Sequence, residues 1–441
     1  MRSYTGGSGG HCPPGGVQGQ RPWLLLFCTA RVAFSFIFTT YSAAMPLLTA
    51  DWGMNAARAG SVQSAWHLGY LVSLFVVGLL GDRFGAKRTY LVSAAFASAG
   101  ALAFAALANG YHSALILHGL AGLCSGGSYT PGLTLIAERF PPGERGRAMG
   151  FYLAAGSLGY ALSMVVSSRL FPIGGWQLAF WVTCGLPTAG LALSLWVLRA
   201  TPNLIHAPAK GRSVWRDIPA VLGNRAALLS MLAYAFHCWE LLGLWTWLPA
   251  YLAASAQAGA SSGAAASASA IGAGVLLSGL TYLTSMLGSL AGGSLSDRWG
   301  RTRTILLFSC ASILCSLAFG WMAGVPLGLL FTLAAVYNFA AIGDSSIYST
   351  ALTELVEPRL IGSAYAVRSV LGFGAGVVSP WVFGLVFDLA NGGLPASTGL
   401  DWSLGWGLAW TSLGLAALPG PLLTWWLRRR PEAARMAKGR K

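Results

Sequence analysis

Gly78–Thr89 (GLLGDRFGAKRT) and Gly293–Thr304 (GSLSDRWGRTRT) share the pattern G-x-L-x-D-R-x-G-x-x-R-T at an offset of 215 residues. Each is a short polar stretch between two long apolar runs. A second pair of loops repeats at an offset of 216: Glu138, Pro142, Gly146 and Ala148 recur as Glu354, Pro358, Gly362 and Ala364. Two independent loops returning at nearly one spacing mark an internal duplication. An even number of crossings separates the copies, so the two halves run parallel.

Outward from these loops the chain falls into apolar runs of about 20 residues or more, the length that spans a hydrocarbon core of roughly 30 Å. Twelve are present: Trp23–Leu48, Ser61–Leu80, Thr89–Ala108, Ser113–Ala137, Ala148–Phe171, Trp176–Leu198, Ala226–Ala254, Ala270–Leu295, Ile305–Ala323, Leu327–Leu352, Ser363–Ala390 and Trp402–Leu427. Backbone polar groups in lipid must be satisfied internally, so these read as helices; they lack the alternation of a membrane β-barrel. The composition agrees. Of 441 residues 55% are hydrophobic and only 9% charged, against about 25% charged in a soluble domain. That excludes a soluble enzyme, and 18 Trp, 20 Phe and 14 Tyr exclude a disordered chain. The net charge of +15 does not indicate a nucleic-acid partner, because the cations punctuate apolar runs instead of clustering on a polar face.

Sorted by position, 24 of the 28 Lys and Arg fall on one side of the predicted spans, and the opposite loops hold only Arg58 and Arg169. The positive-inside rule then puts both termini in the cytoplasm. The sequence divides into a disordered tail (1–21), a six-helix bundle (22–199), a basic, proline-containing linker (200–224), a second six-helix bundle (225–428) and a basic tail (429–441). The first span is too long for a signal-peptide core and lacks a clear cleavage site. The seven Cys sit mostly inside spans without a CxxC pair, which excludes a disulfide framework or a zinc role.

The loop after the second span, G-x-L-x-D-R-x-G-x-[KR]-[KR], resembles the signature loop of the major facilitator superfamily, and the copy after the eighth span strengthens the likeness. The resemblance covers about Pro22 to Arg430. It implies an all-α integral membrane fold of twelve helices in two pseudo-symmetric six-helix bundles. It also implies that helices one, four, seven and ten line a central cavity exposed alternately to each side. In the family the Asp matching Asp82 latches the two halves on the cytoplasmic side. Carried over, this makes Gly78, Asp82, Arg83, Gly85, Lys87 and Arg88 a gating loop, with Arg83 and Arg139 as charge partners of Asp82. Asp297, Arg298 and Gly300 form its counterpart. On the residues alone, Asp82 suits the open N-terminus of a neighbouring helix, where the dipole favours an anion. There are departures. Many proton-coupled members carry an Arg early in helix four, where the best match here is His118 before Gly122. Helix five has Gly150, Gly156 and Gly159 but no Gly-Pro pair, which leans away from a proton-driven drug antiporter.

Ionisable residues inside the membrane are costly, about 2.5–3.5 kcal/mol each at the centre, and usually face a partner or a water-filled path. His237 and Glu240 are three apart and share a face of helix seven. Glu240 lies about 14 residues, roughly 21 Å, from the basic end. It is the leading candidate for proton coupling or for holding a polar substrate group; the alternative is a helix-locking hydrogen bond. Asp344 and Arg368 stand at similar depth on sequential antiparallel helices, which predicts a salt bridge. Arg31, about eight residues into helix one, suits an anionic substrate through its planar fork, or it snorkels. His67 and His118 read as packing histidines that could share a proton path. Tyr41 is a further cavity candidate. The tryptophans of helices seven and twelve read as interfacial belts.

These features predict a multi-pass transporter of the bacterial inner (plasma) membrane that is not an enzyme. It works as a monomer in the lipid bilayer without cofactor, metal or nucleic acid. No G-x-x-x-x-G-K-[ST] stretch occurs, so ATP is not the direct driver. Symport of a small organic anion such as a carboxylate with H+ is the expected activity. The alternative is proton-driven efflux of a neutral or cationic compound through Glu240 and Asp344.

Overall fold

The computed structural model describes residues 17–205, 214–258, 264–392 and 402–439. Most of the expected N-terminal tail and the middle of the linker lie outside these residues. Within them every regular element is helical. The first half comprises α1 (Val17–Asp51), α2 (Ala56–Phe84), α3 (Ala86–Leu107), α4 (Tyr111–Ser125), α5 (Thr130–Arg139) and α6 (Pro142–Leu198). A short linker helix, α7 (Val214–Gly223), leads into α8 (Arg225–Ala258), α9 (Ala264–Trp299), α10 (Arg301–Phe319), α11 (Leu327–Gly343), α12 (Ser345–Leu355), α13 (Ile361–Ala390), α14 (Trp402–Ala417) and α15 (Pro419–Arg429).

These helices make twelve crossings. At 57 residues α6 is too long for one, and its backbone leaves helical geometry at Gly174 and Gly175. Its two ends meet again: Ala148, Tyr152, Val197 and Leu198 share one buried cluster with Trp23 and Phe27. The chain therefore crosses, turns at the glycines and crosses back. Crossing four is α4 and α5, joined by the tight turn Gly126–Ser128; crossing ten is α11 and α12, broken at Asp344. Crossing twelve is α14 and α15, broken before Pro419. Large apolar side chains such as Leu25, Phe96, Ile116, Leu290 and Leu314 project from the surface. On a water-soluble protein such an apolar surface would be a liability; here it is the face that lipid covers.

The repeated loops are built alike. Gly85 and Gly300 adopt φ of +85° and +97°, a region open to glycine without steric cost. Each lets one crossing end and the next begin with no intervening loop. The two bundles meet along α2 and α13 at the end away from the basic loops. A Cβ on Gly60 would sit 2.1 Å from the Pro380 carbonyl oxygen, and one on Gly384 2.2 Å from that of Ala56. Only glycine allows backbones this close.

The tryptophans depart from the interfacial expectation. Trp247, Trp406 and Trp410 are buried, packed with Tyr251, Phe319 and Phe383 into the core of the second bundle. The indole of Trp247 donates to the Pro380 carbonyl at 3.0 Å. An aromatic-rich run does not reveal whether its rings face headgroups or a neighbouring helix.

Candidate functional site

Between the bundles lies a cavity of about 810 Å³. Gly78, Asp82, Glu138 and Gly362 border it, beside the basic loops. Deeper in, Phe38, Trp66, Tyr70, Tyr160, Trp245 and Phe373 close it off. The cavity is thus a cup that opens at the basic end and is roofed by rings.

Arg31 of α1 lies on its wall, 6% exposed. The guanidinium donates to Ser128 Oγ at 2.6 Å and lies over the Tyr152 ring at 5.6 Å. The break in crossing four presents that serine. Its freed backbone donors find side chains, as non-helical backbone at membrane depth requires: Gly126 N–H bonds Ser73 Oγ and Gly127 N–H bonds Ser93 Oγ. The Tyr152 hydroxyl secures the turn by donating to the Ser128 carbonyl at 2.6 Å. Arg31 Nε has no hydrogen-bond partner among the described residues.

Arg368 of α13 lies on the same wall. It donates to Ser349 Oγ at 2.6 Å and stacks on Tyr234 and Tyr365 at 4.4 and 4.7 Å. Its Nε is likewise unpartnered among the described residues. The predicted Asp344–Arg368 salt bridge does not form. Asp344 turns the other way, to His237 Nδ1 at 2.8 Å, because the break at Asp344 aims its side chain toward α8 while Arg368 is held by serine and two rings.

His237 and Glu240 do share a face, but it looks away from the cavity into the second bundle. Neither is on the cavity wall, and both are buried. Glu240 accepts from the Tyr337 hydroxyl at 3.1 Å. The wall of α8 is instead made by Tyr234, Cys238, Leu241, Leu242 and Trp245. Tyr41 and His118 are also off the wall. The Tyr41 hydroxyl donates to the Ala59 carbonyl at 3.0 Å, and its ring packs on His118 at 5.1 Å. His67 is buried beside Trp66 and Phe38. Among the described residues no three His, Cys, Asp or Glu side chains form a metal-binding group.

The sequence matches the Major Facilitator Superfamily profile over residues 27–380. The chain belongs to the Major Facilitator Superfamily. It is a multi-pass membrane transporter. It is 28% identical over 378 residues to a probable 4-methylmuconolactone transporter of Cupriavidus pinatubonensis, covering 81% of this chain and 82% of that one. It is 24% identical over 387 residues to a hexuronate transporter of Bacillus subtilis, covering 83% and 88%. Its fold is shared with a bacterial homologue of the human lysosomal transporter Spinster, solved inward-facing and unoccupied, with TM-score 0.71, 16% identity and coverage of 94% and 98%.

In this transporter the repeated loops make contacts that the motif alone did not reveal. Asp82 is exposed at the cavity mouth and forms no ion pair among the described residues. Its expected partners are engaged elsewhere: Arg83 lies over Phe84 at 5.2 Å and Arg139 over Trp23 at 4.6 Å. Lys87 donates to the Thr201 carbonyl at 2.6 Å, a cation at the end of crossing six, where the helix dipole favours it. Arg88 N–H bonds Asn203 Oδ1 while Asn203 Nδ2 bonds the Phe84 carbonyl, so the start of the linker clamps this loop. In the second copy Arg301 gathers Asp297 at 2.5 Å and Glu354 at 2.9 Å. Gly300 supplies the turn, and Arg298 is exposed.

Two contacts between helices lay outside the sequence reading. Asn338, fully buried on α11, accepts from Trp245 Nε1 at 3.0 Å and Ser285 at 2.7 Å and donates to Thr281, fixing one ring of the cavity roof. At the sealed end, the Asp388 carboxylate of α13 accepts from Ala56 N–H at 2.9 Å and Ala57 N–H at 2.8 Å. An aspartate of the second half therefore caps the first turn of α2 in the first half. It stands near the end of the eleventh apolar run, and nothing in the sequence signals a partner 332 residues away.

Proposed function

We propose that this transporter carries a small organic anion, a carboxylate foremost, in symport with a proton. The observation that supports the reading is the pair Arg31 and Arg368, one from each half, on the wall of a single cavity. A guanidinium fork binds a carboxylate bidentately. The interior carboxylates Glu240 and Asp344 are turned away from the wall and held by Tyr337 and His237, an arrangement ill-suited to a cationic cargo. The named substrates of the two relatives, 4-methylmuconolactone and hexuronate, are organic anions.

In this reading His237 and Glu240, on the helix that also bears the wall residue Cys238, carry the coupling proton together with Asp344 of crossing ten, one layer behind the wall. The 24-to-2 distribution of cations supports cytoplasmic termini in a bacterial inner membrane, which makes the conformation described here inward-open. Asp82 then waits for the N-terminus of α13 as the inner latch, and Asp388 on α2 is the outer one. Uptake into proteoliposomes under an imposed pH difference, with a carboxylate panel, tests this. Accumulation that follows the pH difference and collapses in Arg31→Ala is the expected result; accumulation indifferent to both would overturn it.

A further inference from the structure

The roof of the cavity carries information about the cargo beyond its charge. Six aromatic side chains from five helices converge there. Phe38 is central, with ring centroids 4.9 Å from Trp66, 4.5 Å from Tyr160 and 6.0 Å from Trp245. Trp66 stacks on Tyr70 at 5.0 Å, and Tyr70 meets Phe373 at 5.5 Å. Four of the rings belong to the first half and two, Trp245 and Phe373, to the second. The arginines enter from the side walls with tyrosines beneath them. The remaining polar wall groups are hydroxyls, mostly serines and threonines; no Asn, Gln or His lines the cavity among the described residues, and the acids Asp82 and Glu138 stand at its mouth.

A sugar acid presents several hydroxyls that need paired donors and acceptors when desolvated, typically from amides and carboxylates, and leaving them unpaired is costly. A flat ring presents the reverse: an apolar face that stacks on other rings and few polar edges. We infer that the cargo is a planar, ring-bearing carboxylate of the arylacetate or benzoate type, its carboxylate on Arg31 and Arg368 and its ring beneath Phe38. This rests on the organic-anion reading above and narrows it. The roof joins both halves, so a ring inserted there touches both at once and would favour their closure around it.

The test is competition by the intact protein in proteoliposomes or detergent, with labelled phenylacetate as probe. Unlabelled phenylacetate, glucuronate and the neutral phenylacetamide compete in parallel. Phenylacetate is expected to compete at least about tenfold more tightly than either other compound. Glucuronate competing as well as phenylacetate overturns the ring assignment and leaves the anion reading standing. Phenylacetamide competing as well as phenylacetate overturns the anion reading itself. Failure of phenylacetate to bind overturns the ring assignment. Phe38→Leu, which keeps the apolar volume, should weaken phenylacetate about three- to tenfold, the worth of an aromatic contact.

Discussion

The two halves of this transporter place equivalent positions to different chemical use. Ser128 and Asp344 are 216 residues apart, the offset of the loop repeat, and each sits at the break in its half's fourth crossing. In the first half the break offers a hydroxyl to Arg31, and the cation stays on the cavity wall. In the second it offers a carboxylate to His237, and the pair is buried behind the wall. Tyr152 and Arg368 differ by the same offset: a ring beneath the cation in one half, the cation itself in the other. The duplication thus supplied one scaffold. Substitution then left a wall-facing arginine beside one break and a buried histidine–aspartate pair at the other. A cation held by hydroxyls keeps its charge for a ligand.

The sharpest way to break this comparison is to remove the wall cation. Arg31→Ala should lower uptake of a carboxylate by about 100-fold, the loss of about 3 kcal/mol of charge-assisted contact, while the variant still folds and binds the membrane. Uptake within a few-fold of the parent would show that the first half does not carry the anion. Next in size is the contact by which the second half caps the first. Asp388→Ala removes two charge-assisted bonds of about 1.5–3 kcal/mol each. A cysteine placed at the buried Val62 should then react with an external thiol reagent about tenfold faster, and unchanged labelling would mean the seal rests on packing alone.

The proposed role of the His237–Asp344 pair in coupling is probed by Asp344→Asn. A pH difference of one unit drives about tenfold accumulation through one-proton symport, since one unit is about 1.4 kcal/mol. The variant should lose that accumulation yet retain counterflow exchange of labelled substrate. Accumulation at the parent level would remove His237–Asp344 from coupling and leave Glu240 to carry it. The smallest effect is expected at Ser128→Ala. The cation stays but loses its holder, and affinity should drop about threefold, the worth of an ordinary hydrogen bond. A loss as large as that of Arg31→Ala would make the serine a ligand contact in its own right.

Most of the fold was legible along the chain, and the site only in part. The twelve runs and the two loop repeats needed nothing beyond composition and spacing. Arg31 and Arg368 stood out because few charges lie within the spans, and both are on the wall. Glu240 and His237 stood out equally and are not. Helix seven is apolar all round, so its sequence does not show which face looks to the cavity and which to the second bundle. Tyr41 and His118 misled for the same reason. Asp388 and Asn338 were passed over because their partners lie on helices brought beside them only by the packing of the bundle.

The sequence alone determined that the chain crosses a membrane, how often, in what pairing of halves, and which few polar groups must find partners there. These follow from the cost of exposing backbone and charge to hydrocarbon, which acts on each segment separately. The tertiary structure decided which of those groups share a cavity, which neutralise one another, and which end is sealed. In lipid both the outer and the inner face of a helix are apolar. Its rotation is therefore set by close packing against its neighbours, by contacts such as Gly60 on Pro380 and Asp388 on α2, and is not recorded in any single stretch of the chain.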